Sequence, residues 1–378
     1  MELARSDHHG EAPTDVPIRK PAHIPALDGL RGAAALLVVV SHFQTLGLSD
    51  DHIPHSGTFG VMIFFVLSGF LMGHLYLFRP FDGAAVTHFM ASRIARVIPL
   101  FYAVIIGSYI ASNIFGSDFV YYLTTFDTLK HLLFVGSKYV FWSIPPEVEF
   151  YVVFVGLWYV VARRHVLRYL PVFGFGLAAM FVLQPMFPGI TVFNSLPIFL
   201  AGVSAAVLCR FVQFDRIDKR SATIVQCLGI VLMLSIFVEF VSTDPTKTGF
   251  GWERGRVYES LPMALLFGAF VLSFTIDTKF ARLFFANRVM RRLGAYSFSI
   301  YLLHEPVADT VQNALQAWNV PIALQIAVIL AAVVGVASVS FRLYEMPMQS
   351  AVRRAILRLD RYRVRGATMW REARAGSR

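Results

Sequence analysis

Arg31 and His42 stand eleven residues apart in the first long apolar stretch of the chain, IPALDGLRGAAALLVVVSHF. On a helix that rises about 1.5 Å per residue, His42 sits roughly 16 Å beyond Arg31, at a depth where a titratable side chain is expensive unless it faces a bundle interior and binds or reacts there. Imidazole is the side chain best suited to take a proton from a hydroxyl near neutral pH, so that the oxygen can attack an acyl carbonyl. A structural hydrogen bond to a neighbouring helix is the plainer alternative. Asp28, three residues before Arg31, offers a local ion pair. A second basic pair, Arg93 and Arg96 in SRIARVIPLFY, shares one helix face. Guanidinium forks match phosphate oxygens, so these arginines converging at one rim make a phosphate site, whereas separately they only fix topology. A donor with a phosphorylated head at that rim and a long neutral arm reaching His42 has the shape of a coenzyme A thioester.

Other segments carry chemistry-bearing residues with two readings each. Glu147, in WSIPPEVEFY, either orients and charge-stabilises His42 or is a carboxylate favoured at a helix start; Glu149 is a second candidate two residues on. FFVLSGF places Ser68 and Gly69 near the middle of an apolar run, where the glycine permits close helix approach and the serine can bond a backbone carbonyl. GAYSFSIYLLHEP puts Tyr301 and His304 one turn apart, as a substrate-lining face or a structural network. Cys209 and Cys227 read as ordinary packing residues on the reducing side.

The elements that must position these residues are membrane helices. Hydrophobic residues make up 56% of the 378 and charged residues only 15%, and the mean hydropathy is +0.59, far from an ordinary soluble domain. About ten apolar runs are long enough to span, near 27–47, 57–78, 97–115, 146–162, 167–187, 192–212, 222–243, 257–276, 295–316 and 321–343. With the N-terminus inside, 29 of the 34 Lys and Arg fall on the inner side, and only Lys130, Lys138, Lys247, Arg254 and Arg256 fall outside. That asymmetry fits an even number of spans with both termini cytoplasmic, and one span more or fewer would destroy it. The expected fold is therefore an all-α membrane protein, a bundle of about ten transmembrane helices.

The net charge of +10 follows from this topology and is no nucleic-acid signal. Residues 349–378 form a basic tail, either an amphipathic helix on the anionic inner leaflet or a disordered anchor of topology. Residues 1–24 are polar and lack the apolar core of a cleavable signal peptide, so the first span is expected to serve as its own insertion signal. The aromatic-rich loop 116–145 reads as a re-entrant or interfacial lid over an outward pocket, or as a surface helix held at headgroup level. The absence of an internal repeat disfavours a secondary transporter. A transporter in which His42 and Glu147 relay protons and the arginines bind an anionic solute stands as the rival from another class.

With these segments read, the chain resembles the acyltransferase 3 family of integral membrane O-acyltransferases, which modify bacterial surface glycans and some small molecules. The resemblance covers residues 24 to 348 and rests on LDGLRG with ten residues between Arg31 and His42, FFVLSGF, the Arg93 to Arg96 pair, WSIPPEVEFY, SFSIYLLHEP, and YEMP with Glu345. It implies a membrane domain over 25–348 of the bacterial inner membrane that takes an acyl group, most simply acetyl, from cytoplasmic acetyl-CoA or another acyl-CoA. The acceptor would be a hydroxyl of an exported or lipid-linked carbohydrate near the outer face, or of a small molecule such as a macrolide sugar or lipo-oligosaccharide. By the same resemblance His42 and Glu147 match catalytic positions, Arg31, Arg93 and Arg96 the donor-binding ones, and no metal is implied. Transfer runs directly or through an acyl-imidazole on His42. The chain departs from the pattern at Met62, where relatives often have an acidic residue, and at Pro145 and Pro146, where a small or aliphatic pair is more usual. A soluble hydrolase-like domain of the kind some relatives carry is not expected, so transfer would be completed by the membrane domain alone or with a separate partner.

Overall fold

The computed structural model describes residues 23–48, 57–163, 191–212, 217–242, 260–316 and 320–375, with the single residues 171, 175 and 318. Among these residues the protein is helix and turn without strand. The helices are α1 (Pro25–Ser41), α2 (Gly57–Tyr76), α3 (Gly83–Phe115), α4 (Thr125–Leu132), α5 (Ile144–Ala162) and α6 (Val192–Phe211), followed by α7 (Lys219–Ser242), α8 (Leu261–Ser273), α9 (Lys279–Phe284), α10 (Arg288–Gln316), α11 (Ile322–Ser340) and α12 (Met346–Ala375). Six of the described helical segments are long and apolar enough to cross a membrane, so the chain is a multi-pass membrane protein. Three further expected spans are helical but outside that class. α1 has 17 residues and α8 has 13, and α10 carries Arg288, Arg291, Arg292, Glu305 and Asp309. Of the run expected at 167–187 only the single residues 171 and 175 are described, and all but the last two residues of 1–24 lie outside the described residues.

Local sequence explains the helix limits. Pro25 opens α1, where a missing N–H costs nothing, and α1 ends as His42 leaves the helical region at φ −92°, ψ 1°, so its ring stands off the helix end. Asp82 caps α3 by accepting from the Ala85 N–H at 2.8 Å. α4 begins with a capping box between Thr124 and Asp127. A π-turn over Phe341–Glu345 joins α11 to α12 and carries Glu345 into the interior, 3% exposed.

The main core is aromatic, with Phe70, Phe101, Phe154, Trp158, Phe199 and Phe267 fully enclosed. A second cluster gathers Ala35 and Val39 of α1, Ile300 of α10, and Ile329 and Val333 of α11. Ile106, Ile110 and Ile114 of α3 and Leu228 and Val231 of α7 are exposed, as expected of side chains that meet lipid tails. Lipid supplies no hydrophobic drive between helices, so the bundle closes through small residues. A Cβ on Gly69 would overlap the Phe199 carbonyl of α6, so α2 and α6 pack backbone on backbone there. A Cβ on Gly32 would meet the Gly294 nitrogen and the Met290 carbonyl, both at 2.8 Å, which makes the same kind of contact between α1 and α10.

Candidate active site

That glycine contact sets the register of the site. His42 lies ten residues beyond Gly32, and His304 ten residues beyond Gly294. The two helices run side by side in the same direction, each climbing about 15 Å from the contact, and the two histidines meet at the end. Their rings pack edge to face with centroids 4.8 Å apart, and His304 Nε2 lies 3.3 Å from His42 Nδ1. His304 is fully buried and its Nδ1–H donates to the Tyr301 carbonyl at 2.7 Å. His42 Nδ1–H donates to the Val38 carbonyl at 2.9 Å. With Nδ1–H held by that bond, Nε2 is the ring atom at which a proton is gained or lost.

The carboxylate facing His42 Nε2 is Glu305, at 3.1 Å. It is not Glu147, the residue expected from its segment to orient the ring. Glu147 Oε1 instead accepts from Ser68 Oγ at 2.8 Å and from Tyr151 OH at 3.0 Å, and it lines a separate space. The sequence carried a signal for Glu305, two adjacent titratable residues in LLHEP inside an apolar run, but nothing in it says which helix that pair faces.

The second space is a slot of about 50 Å³ into which Arg31, Arg93, Arg96, Glu147 and Ser68 all project. The three arginines come from the first turns of α1 and from one face of α3, so they lie at the opposite end from His42. Arg93 is only 8% exposed and its Nε has no hydrogen-bond partner. Among the described residues, none of the three makes an ion pair within 4 Å. Asp28 does not pair with Arg31; its carboxylate binds His23 Nε2 at 2.8 Å. Ser68 bonds the Glu147 carboxylate rather than a backbone carbonyl, while Gly69 makes the close approach expected of it. Glu345 accepts from Ser299 Oγ at 2.7 Å and does not line the slot.

At the histidine end a wider cavity of about 620 Å³ is bordered by His42, Glu305, Thr45, Tyr139 and Trp142. Val61 and Tyr301 line both this cavity and the arginine slot, so they form the partition between the two. Tyr301 OH donates to the Val140 carbonyl at 2.6 Å and accepts from Ser143 Oγ at 2.7 Å, which pins the ring between the two spaces. The loop before α5 thus does two things. Its turn over Tyr139–Ser143 walls the cavity, and α4 presents Phe126, Leu129 and Leu133 outward. Asp127 and Lys138 tie the loop together at 2.7 Å.

His42, His304 and Glu305 place donor atoms within 4.8 Å of one another, a spacing that would also hold a metal ion. The arrangement as it stands is a ring nitrogen and a carboxylate at the wall of a cavity, with a pocket of guanidiniums on the other side of Val61 and Tyr301. It suits proton abstraction at one end and anion binding at the other.

Comparison with known proteins gives this geometry a context. The family described as Acyltransferase domain matches residues 24–342. The chain is 23% identical over 362 residues to the peptidoglycan O-acetyltransferase OatA of Listeria monocytogenes, covering 86% of this chain and 56% of that protein. It is 23% identical over 367 residues to the O-acetyltransferase OatA of Staphylococcus aureus, covering 87% and 58%. A third relative, protein 2 in the picA locus of Rhizobium radiobacter, is 37% identical over 82 residues, 21% of this chain and 41% of that protein. The chain therefore spans a little over half the length of the two O-acetyltransferases it matches. No solved structure matches.

Proposed function

The chain belongs to the acyltransferase 3 family, and from that premise we propose that it is an O-acyltransferase moving an acyl group, most simply acetyl, from acyl-CoA to a carbohydrate hydroxyl. The observation that carries the reading is the pair of spaces that meet at Val61 and Tyr301, with guanidiniums at one end and His42 with Glu305 at the other. Taking the basic end as cytoplasmic, in the sense the Lys and Arg distribution favours, the donor phosphates lie against Arg31, Arg93 and Arg96. The pantetheine arm enters the slot, and the thioester passes Tyr301. The acceptor occupies the wider cavity, where the faces of Tyr139 and Trp142 suit a sugar ring.

In this reading His42 Nε2 takes the proton of the acceptor hydroxyl as its oxygen attacks the thioester carbonyl. Glu305 Oε1, 3.1 Å away, becomes the partner of the N–H so formed and stabilises the imidazolium. The Val38 carbonyl keeps the proton of the resting ring on Nδ1. Collapse of the adduct breaks the C–S bond, and the imidazolium returns its proton to the departing thiolate. Glu147 belongs to the donor end in this scheme, where its charge offsets part of the arginine repulsion. The peptidoglycan named for the Listeria relative makes a surface glycan of the bacterial inner membrane's outer side the leading acceptor class.

The test is mass spectrometry of exported glycans from cells carrying the native protein or His42→Ala at matched membrane levels. An acyl mass increment that vanishes in the variant is the expected result. Glycans identical in the two, together with solute flux into sealed vesicles without acyl-CoA, would replace the transferase reading by a transporter.

A further inference from the structure

The arginine end extends past the residues that the family match covers. The first turns of α12 pack along the start of α3, and a groove of about 520 Å³ runs between them, into which Arg93, Arg96, Arg353 and Arg354 project. None of the residues lining the groove is a carboxylate. Four like charges thus face one space, an arrangement that an anion relieves. The Arg353 guanidinium donates to His88 Nε2 at 2.9 Å and Arg354 Nε to the Ser350 carbonyl at 3.1 Å, so neutral acceptors aim both groups without cancelling their charge. Arg93 and Arg96 line this groove and the slot alike. The Nε of Arg93 is buried without a partner among the protein groups, so the residue that lines both spaces holds an unsatisfied donor.

We propose that the groove is a second phosphate-ester site, in which Arg353 and Arg354 hold the 3′-phosphate of the donor nucleotide while Arg93 and Arg96 reach its diphosphate. The inference rests on the coenzyme A reading above. It adds to it a binding element from α12, outside the residues 24–342 of the family match. The geometry supports one ligand across both spaces, because the two arginines of α3 stand at the point where groove and slot meet. A lipid headgroup offers the same phosphate-ester chemistry, so the experiment separates the two sources.

The full chain in nanodiscs of zwitterionic lipid is titrated with coenzyme A and with 3′-dephospho-coenzyme A. The native protein is expected to prefer coenzyme A by about tenfold or more, the size of one charge-assisted hydrogen bond. The double variant Arg353→Gln, Arg354→Gln is expected to bind the two alike while keeping the native affinity for the dephospho form, which also reports that it is folded. Arg353→Lys, Arg354→Lys, which keeps the charge and loses the fork, is expected to regain part of the preference. A glutamine variant that keeps the full preference overturns the inference and leaves the donor reading standing. A native protein that binds neither nucleotide overturns both. If the native protein shows no preference and the glutamine variant instead loses binding of phosphatidylglycerol added to the discs, the groove is a lipid site and the nucleotide assignment falls.

Discussion

Glu305 Oε1 lies 3.1 Å from His42 Nε2, while Glu147 bonds Ser68 and Tyr151 among the arginines. The two carboxylates therefore line different spaces, and their removal should be distinguishable. Glu305→Gln is expected to lower kcat by about tenfold to a hundredfold with little change in donor KM. His42→Ala should cost about 10²- to 10⁴-fold, the range of general-base catalysis. Glu147→Gln should act mainly on donor KM. Acyl-CoA-dependent release of coenzyme A in proteoliposomes measures all three, and a kcat loss confined to Glu147→Gln would return that residue to the histidine.

Tyr301 stands between the two spaces, held by Val140 and Ser143. Tyr301→Phe keeps the ring but removes its bonds to the Val140 carbonyl and Ser143 Oγ, which retain only the 3.3 Å bond from that Oγ to that carbonyl, at a cost of about 1 kcal/mol in stability. Tyr301→Ala opens the partition, so acyl-CoA hydrolysis without acceptor should rise and longer acyl groups should be accepted. Rates with acetyl-, butyryl- and hexanoyl-CoA read this directly, and an unchanged chain-length profile would show that the passage is limited elsewhere.

The contact of Gly32 with Gly294 fixes how α1 meets α10. Gly32→Val should overpack that contact, lower stability by about 1–3 kcal/mol and reduce kcat beyond what stability explains, because it displaces His42 relative to Glu305. Gly335 of α11 has nothing within 4 Å of an added Cβ, so Gly335→Ala should stabilise by about 0.5–1 kcal/mol through helix propensity alone. Thermal unfolding in detergent compares the pair.

Desolvation alone would raise the Asp127 carboxyl, but hydrogen bonds from Lys138 and Thr124 overcome it and hold the group at about 2, below its ordinary value of 3.8. A carboxyl depressed on folding stabilises the loop above pH 3.8, and the contribution is lost as pH falls from there through about 2. The protection factors of the α4 amides, which remove the intrinsic pH dependence of exchange, should fall over that interval in the native protein. In Asp127→Asn they should be low already at neutral pH and unchanged by the same acid step.

His42, His304 and Glu305 have the spacing of a three-ligand metal centre, yet the proposed chemistry needs only the ring nitrogen and the carboxylate. Activity is expected to survive prolonged EDTA treatment unchanged. Loss on chelation with recovery on zinc addition would reassign the trio as metal ligands.

Much of this protein is legible in its sequence because the information is local. Apolar run length places most of the membrane helices, although α3 begins at Gly83, well before the run expected at 97–115, and the ten residues between Arg31 and His42 separate the two side chains by a helix rise. The three-residue spacing of Arg93 and Arg96 puts both on one face of α3, where the structure has them beside Arg31. The motif that carries Ser68 and Gly69 announces close packing, and α2 does meet α6 at Gly69. What a sequence lacks is the choice of neighbour. The sequence offers Glu147 and Glu149 as partners for His42, but the backbone contact of Gly32 with Gly294 lays α1 along α10 and brings Glu305 to the ring instead. By the same cause Asp28 turns to His23, Ser68 finds a carboxylate, and Arg353 and Arg354 of the basic tail come to face Arg93 and Arg96. Helix formation follows from hydrogen bonds a few residues apart, whereas the site follows from which small residues let two backbones touch, and only the packed bundle decides that.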